Sequence, residues 1–160
     1  FLQIKYLVIQ SGTSLSSNQN TGNFDLKRLS NMINVAKKNG LKSKEHNGDY
    51  IPEELIKLKM SKGLDSINIA PEFGLIETQT YLTQIKNKKS LFDRYWELCY
   101  NSKKWVKWVG KDFDPKQQKE NLIKICGHYV LSHPDFLKIK PNINNIIKLN
   151  IKNKLNELHR

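Results

Sequence analysis

Residues 41–52 read LKSKEHNGDYIP. The first six residues have the length and spacing of a short strand. Pro52 then opens a helix-like run, and between the two lie His46, Asn47, Asp49 and Tyr50. A chain that gathers titratable groups where a strand hands over to a helix does so for chemistry or in an ordinary solvated loop. The flanking sequence helps to decide between them.

Upstream, residues 5–15, KYLVIQSGTSL, have an apolar, β-branched centre and end in Ser-Gly-Thr-Ser, as a buried strand does when it opens into a polar loop. Residues 16–23, SSNQNTGN, read as loop by composition. Residues 24–40 place Leu26, Leu29, Ile33 and Ala36 at helical spacing, with Gly40 as a C-terminal cap. Downstream, residues 52–63 carry Pro52 at a helix start and acidic residues in the first turn. Residues 64–74 read as a third strand, with Ser66, Asn68 and Ala70 alternating with Ile67 and Ile69. Residues 75–87 read as a third helix.

Strand and helix thus alternate three times with short returns, the signature of parallel βαβ units. Crossovers of one hand put the helices on one side of a curved sheet. The expected fold class is α/β: the C-terminal part of a (βα)8 barrel, about three βα units over residues 1–88. A helical C-terminal extension over residues 89–160 follows, anchored by Trp96, Trp105, Trp108 and Tyr129. Three strands cannot close a barrel, and 160 residues fall short of the roughly 250 a complete one needs. The remaining strands are therefore expected on the N-terminal side of Phe1, in a longer protein.

With 27 Lys and Arg against 15 Asp and Glu, the net charge is +12. Nucleic acid, anionic membranes and phosphorylated substrates are the partner classes such an excess admits. The positive residues are nearly all lysine and are spread along the chain, with no arginine-rich helix or aromatic-interleaved basic stripe. Nucleic acid is therefore not the expected partner. No apolar run reaches the roughly 18 residues of a membrane span. Cys99 and Cys126 form no CxxC pair and read as buried thiols of a cytoplasmic protein.

In a parallel barrel the strand C-termini line the active site. Here they are Gln10-Ser11-Gly12-Thr13-Ser14, then Glu45 to Tyr50, then Asn68 to Glu72. Gly12 and Thr13 offer backbone N–H groups and a hydroxyl to a phosphate. His46 is the candidate acid/base and the only candidate metal ligand, with Asp49 or Glu45 to set its tautomer. Lys44 could in principle form a Schiff base, but alternation puts it on one face with Lys42 and His46, where three cations are costly unless partnered. Asn68 is the inward amide of the third strand. Glu72 is an acid/base candidate or an ordinary helix-start carboxylate. His128 and His133, five residues apart, match no helical metal pair and read as structural.

Three of these segments resemble the accessory subunits of tagatose-bisphosphate aldolase, a family of (βα)8 barrels. LVIQSGTSL resembles that family's strand ending in Val-Val-Gln-x-Gly, through Gln10 and Gly12. SKEHNGDY resembles its His-x-x-Asp-Tyr motif, through His46, Asp49 and Tyr50. INIAPEFG resembles a strand ending in a small residue and proline, through Ala70 and Pro71. The likeness covers most of residues 5–136. It implies a sugar-phosphate barrel related to class II aldolases, in which Zn²⁺ polarises a ketose phosphate. It also implies a subunit that supports a catalytic class II aldolase partner, or cleaves weakly itself. The chain departs from the family at Asn68 (lysine there) and Glu72 (alanine there). The alternatives are a metal-dependent sugar-phosphate isomerase or epimerase on the same barrel, or a purely structural partner of a class II aldolase.

Overall fold

The computed structural model describes residues 3–158. The chain divides into two compact units, residues 1–70 and residues 71–160.

The first unit is α/β. Its strands are β1 (Tyr6–Ile9), the short pair β2 (Leu15–Ser16) and β3 (Gln19–Asn20), β4 (Lys42–Glu45) and β5 (Ser66–Ile67), with helices α1 (Leu26–Lys38) and α2 (Glu53–Ser61) between them. β1, β4 and β5 form a parallel sheet in chain order, with Val8 opposite Lys44 and Lys44 opposite Ser66. Alternation along the strands then separates two faces. On one, Ile9 packs with Leu29 and Ile33 of α1 and with Leu64, and Leu7 and Ile67 close the cluster. Each apolar side chain buried here stabilises the unit by about 1.5–3 kcal/mol. Tyr6, Val8 and Lys42 lie on the other face and are exposed, as is His46 just past the end of β4.

The ends of α1 follow from local chemistry. The Asp25 carboxylate accepts the Arg28 N–H at 2.9 Å and caps the start. Gly40, at φ +66°, supplies the left-handed residue beyond the last turn. At the N-terminal end of β4, the Ser43 N–H and hydroxyl both donate to Asp65 Oδ2 at 2.8 Å, which fixes the β4–β5 register. These two bonds hold the Asp65 carboxyl below its ordinary range.

Two expectations are corrected in this part of the chain. Residues 16–23 are not plain loop: β2 and β3 pair antiparallel across Ser17 and Asn18, with Ser17 at φ 56°. The side chain of Asn20 organises this hairpin, as described below. The third strand is also shorter than its alternation predicts. It pairs only over Ser66–Ile67, and Pro71 already begins the next helix, because a proline at the first helical position needs no N–H partner.

The second unit is helical: α3 (Pro71–Ile85), α4 (Lys89–Ser102), α5 (Lys119–Cys126), α6 (Pro134–Ile139) and α7 (Asn144–Leu158), with 3₁₀ turns at Val106–Trp108 and Gly127–Val130. The helix of the third βα unit therefore belongs with the helical part. Its Tyr81, Leu82 and Ile85 join Tyr95, Leu122, Ile123 and Phe136 in one core. Tyr81 meets the Phe136 ring edge-on at 5.2 Å. Trp96, Tyr100, Trp105 and Phe113 form a ladder of ring contacts against this core. Cys99 and Cys126 are both buried free thiols. His133 caps α6 by accepting the Asp135 N–H. No helix among the described residues is long and apolar enough to cross a membrane.

Candidate functional site

Parallel pairing places the C-terminal ends of β1, β4 and β5 at one edge of the first unit. Hydrogen bonds then join the loops that leave them. The Thr13 hydroxyl donates to the His46 carbonyl at 2.8 Å, and Gln10 Nε2 donates to the Thr13 carbonyl at 2.7 Å. The Asn68 N–H donates to the Glu45 carbonyl at 2.9 Å, and the Gly48 N–H returns a bond to the Asn68 carbonyl at 2.8 Å. Asp49 Oδ1 accepts the Ala70 N–H at 2.8 Å.

Asn20 ties the hairpin into this network. Its Nδ2 donates to the carbonyls of Asn47 and Asp49 at 2.9 and 3.0 Å, while its Oδ1 accepts from Gly22 and, at 3.4 Å, from Ser14. Two non-glycine residues of the same loop, Asn47 and Tyr50, are held at φ 59° and 58°. For tyrosine that left-handed conformation costs on the order of 1–3 kcal/mol and persists only where its surroundings over-determine it. Gly12, at φ +105°, lies so close to the Asn23 carbonyl that a Cβ would collide with it. The loop geometry at the end of β1 therefore requires glycine there.

The residues singled out from sequence are distributed as follows. Gln10 and His46, each the residue after its strand, are exposed. Thr13 is buried, and its hydroxyl proton goes to the backbone of the His46 loop. Asp49 is 2% exposed and tied to the end of the third strand segment, whereas the neighbouring imidazole stands in solvent. Asn68 is half-buried, and both its backbone groups are used to hold the β4 loop. Glu72 lies in the first turn of α3, in the helical unit, where Lys154 of α7 pairs with it at 2.7 Å. The helix-start reading of Glu72 thus describes its position.

The expectation that Glu45 orients the His46 imidazole is corrected: both its carboxylate oxygens are committed behind the site, to groups the sequence did not single out. Glu45, one residue before His46, points to the helix side and is fully buried. Its Oε1 accepts from the Ser11 N–H at 2.5 Å and the Ser11 hydroxyl at 2.6 Å; its Oε2 takes Lys59 Nζ at 2.7 Å. Lys59 also donates to Ser11 Oγ at 2.9 Å and lies over the Phe24 ring at 4.8 Å, with only 1% exposure. This closed Ser11–Glu45–Lys59 cluster fixes the ends of β1 and β4 against α2. A signal was present: Ile56 and Lys59 are three apart, on the same face of α2.

The chain matches no family model, no curated protein and no solved structure. Its chemistry therefore has to be read from its own geometry.

Among the described residues no three His, Cys, Asp or Glu side chains converge, and tetrahedral zinc needs at least three protein ligands. What the arrangement offers is a rim of short loops with fixed backbone, an exposed imidazole, and amide and hydroxyl groups largely committed to one another. In the helical unit, a separate polar groove of about 390 Å³ runs between α3 and α7 and is lined by Glu72, Gln79, Thr80, Asn150 and Lys154. Its one lysine is already neutralised by Glu72.

Proposed function

We propose that this chain supplies part of the wall and rim of a sugar-phosphate-binding (βα)8 barrel, similar to the accessory subunit of tagatose-bisphosphate aldolase. The observation that carries the reading is the convergence of the three strand ends: Gln10 to Thr13, His46 to Asp49 and Asn68 are hydrogen-bonded to one another at one edge of a parallel sheet. The sequential order of the strands, with both connecting helices packed on one face, agrees with a run of barrel βα units. Ligands of open parallel sheets and of barrels alike bind at the carboxyl ends of the strands.

In this reading His46 contacts the ligand, and Gly12 and Asn68 line the rim through their backbone. A supporting role beside a class II aldolase is favoured over independent catalysis. Thr13 gives its hydroxyl proton to a carbonyl and Asp49 takes a backbone N–H, so the strand-end groups mainly maintain the shape of the rim. An isomerase or epimerase would need metal ligands that the described residues do not assemble.

The test is calorimetry of a ketose bisphosphate on the parent chain and on His46→Ala. His46 is exposed, so the variant should keep its fold and lose binding by about tenfold or more, the equivalent of one charge-assisted hydrogen bond. Identical titrations of parent and variant would refute the assignment.

A further inference from the structure

The face of the sheet away from α1 and α2 has a charge that the first unit does not balance. Lys42 and Lys44 alternate along β4 on that face, and the exposed His46 follows directly after the strand's last residue. The two lysines are about 6.5–7 Å apart along the strand. The unit contains six carboxylates, and each has another place. Asp25 caps α1, Glu45 is buried on the opposite side with Lys59, and Asp49 is buried against the Ala70 N–H. Glu53 pairs with Lys57, Glu54 lies in the first turn of α2, and Asp65 is bonded to Ser43 at the far end of the strand, where its charge is felt by Lys42.

Lys44 is half-buried, lies in register with Val8 and Ser66, and has its ammonium 5.8 Å from the Tyr6 ring. No ion pair joins Lys42 or Lys44 to a carboxylate among the described residues. Two lysines on one strand face repel each other, and at Lys44 no carboxylate among the described residues is paired to offset the charge.

We propose that Lys44 and His46 together hold an anionic phosphoryl group on this face. Lys44 serves as the fixed charge and His46 as a hydrogen-bonding partner at the strand end. The inference rests on the sugar-phosphate reading for the remainder of the ligand, but the anion site itself does not depend on it. The ammonium is a compact point charge and suits a phosphoryl oxygen better than it suits a neutral sugar hydroxyl. The open face, rather than the Ser11–Thr13 loop, then makes the charged contact.

The experiment follows backbone amide shifts of the intact chain during titration with inorganic phosphate, and in a parallel arm with a ketose bisphosphate. Shifts should concentrate at Lys44, His46 and the facing residues Val8 and Ser66. Lys44→Met should weaken phosphate binding at least tenfold, and Lys44→Arg should retain it. Lys62→Met, an equal loss of charge at an exposed site on α2's end, should change it less than twofold. Equal losses in Lys44→Met and Lys62→Met, an unchanged affinity in Lys44→Met, or shifts confined to other surfaces would each overturn the proposal. Should the ketose bisphosphate bind no tighter than phosphate, with both losing affinity in Lys44→Met, the anion site stands and the sugar-phosphate reading falls.

Discussion

Replacing Lys59 by methionine removes the cation of the buried cluster while preserving the length and apolar volume of the side chain. Glu45 then keeps its two bonds from Ser11 but is left as a carboxylate with no counter-charge, at 0% exposure. Breaking a buried pair from one side costs about 3–5 kcal/mol, because the remaining charge has neither water nor partner. By contrast, the Lys57–Glu53 pair on the same helix is half-exposed, and Lys57→Met should cost no more than about 0.5 kcal/mol. The double variant Lys59→Met with Glu45→Gln restores neutrality and keeps an oxygen for Ser11, so it should be more stable than Lys59→Met alone. All three tryptophans, at positions 96, 105 and 108, lie in the helical unit, so their fluorescence does not report on this change. Native-state amide exchange of β1 and β4 does. Protection at Leu7, Ile9 and Ser43 should fall by two or more orders of magnitude in Lys59→Met and recover in part in the double variant. If Lys59→Met and Lys57→Met had equal effects, the buried cluster would not hold the strand ends.

Three further outcomes follow. The His128 imidazole, half-buried with a buried Nδ1 that lacks a hydrogen-bond partner, is pushed below its usual pKa of 6.5 by burial and by Lys107. The unfolded chain therefore binds that proton first, so stability is intact above about pH 6.5 and is lost as pH falls through the folded value; His128→Phe should flatten this dependence in thermal melts between pH 7.5 and 5. Gly127→Ala would place a methyl 2.5 Å from the Tyr95 hydroxyl and 2.6 Å from Thr78 Cγ2, and should lower the stability of the helical unit by about 1–3 kcal/mol in urea titrations read by tryptophan fluorescence. Asn20→Asp removes both donors to the 47–49 loop and sets a carboxylate against two carbonyls; amide exchange at Gly48 should accelerate while the helical core remains unchanged.

The alternation of strand and helix over residues 5–63 was legible because it rests on local periodicity: Leu29, Ile33 and Ala36 mark the buried stripe of α1, and Gly40 marks its end. The polar strand ends were legible for the same reason. The hairpin at residues 15–20 was not, since its order comes from Asn20 bonding to carbonyls 27 and 29 residues away. The Ser11–Glu45–Lys59 cluster is not legible in the sequence, because one buried lysine is indistinguishable by composition from the many solvated ones. Alternation did place Glu45 opposite Lys44 and His46, and that placement, once Lys59 is known to face it, explains why the packet at residues 44–49 carries charges of both signs. The sequence pattern places the start of α3 at residue 75 rather than at Pro71, since PEFG has the composition of a loop while Pro71 supplies a helix start.

The central claim is that the ends of β4 and β5 meet as parallel neighbours, so that the imidazole at 46 and the amide at 68 share one rim. Scalar couplings across hydrogen bonds measure this directly. A coupling is expected from the Asn68 amide nitrogen to the Glu45 carbonyl carbon, and another from the Gly48 nitrogen to the Asn68 carbonyl carbon. An antiparallel pattern, or strong couplings from Asn68 to any other segment, would contradict it.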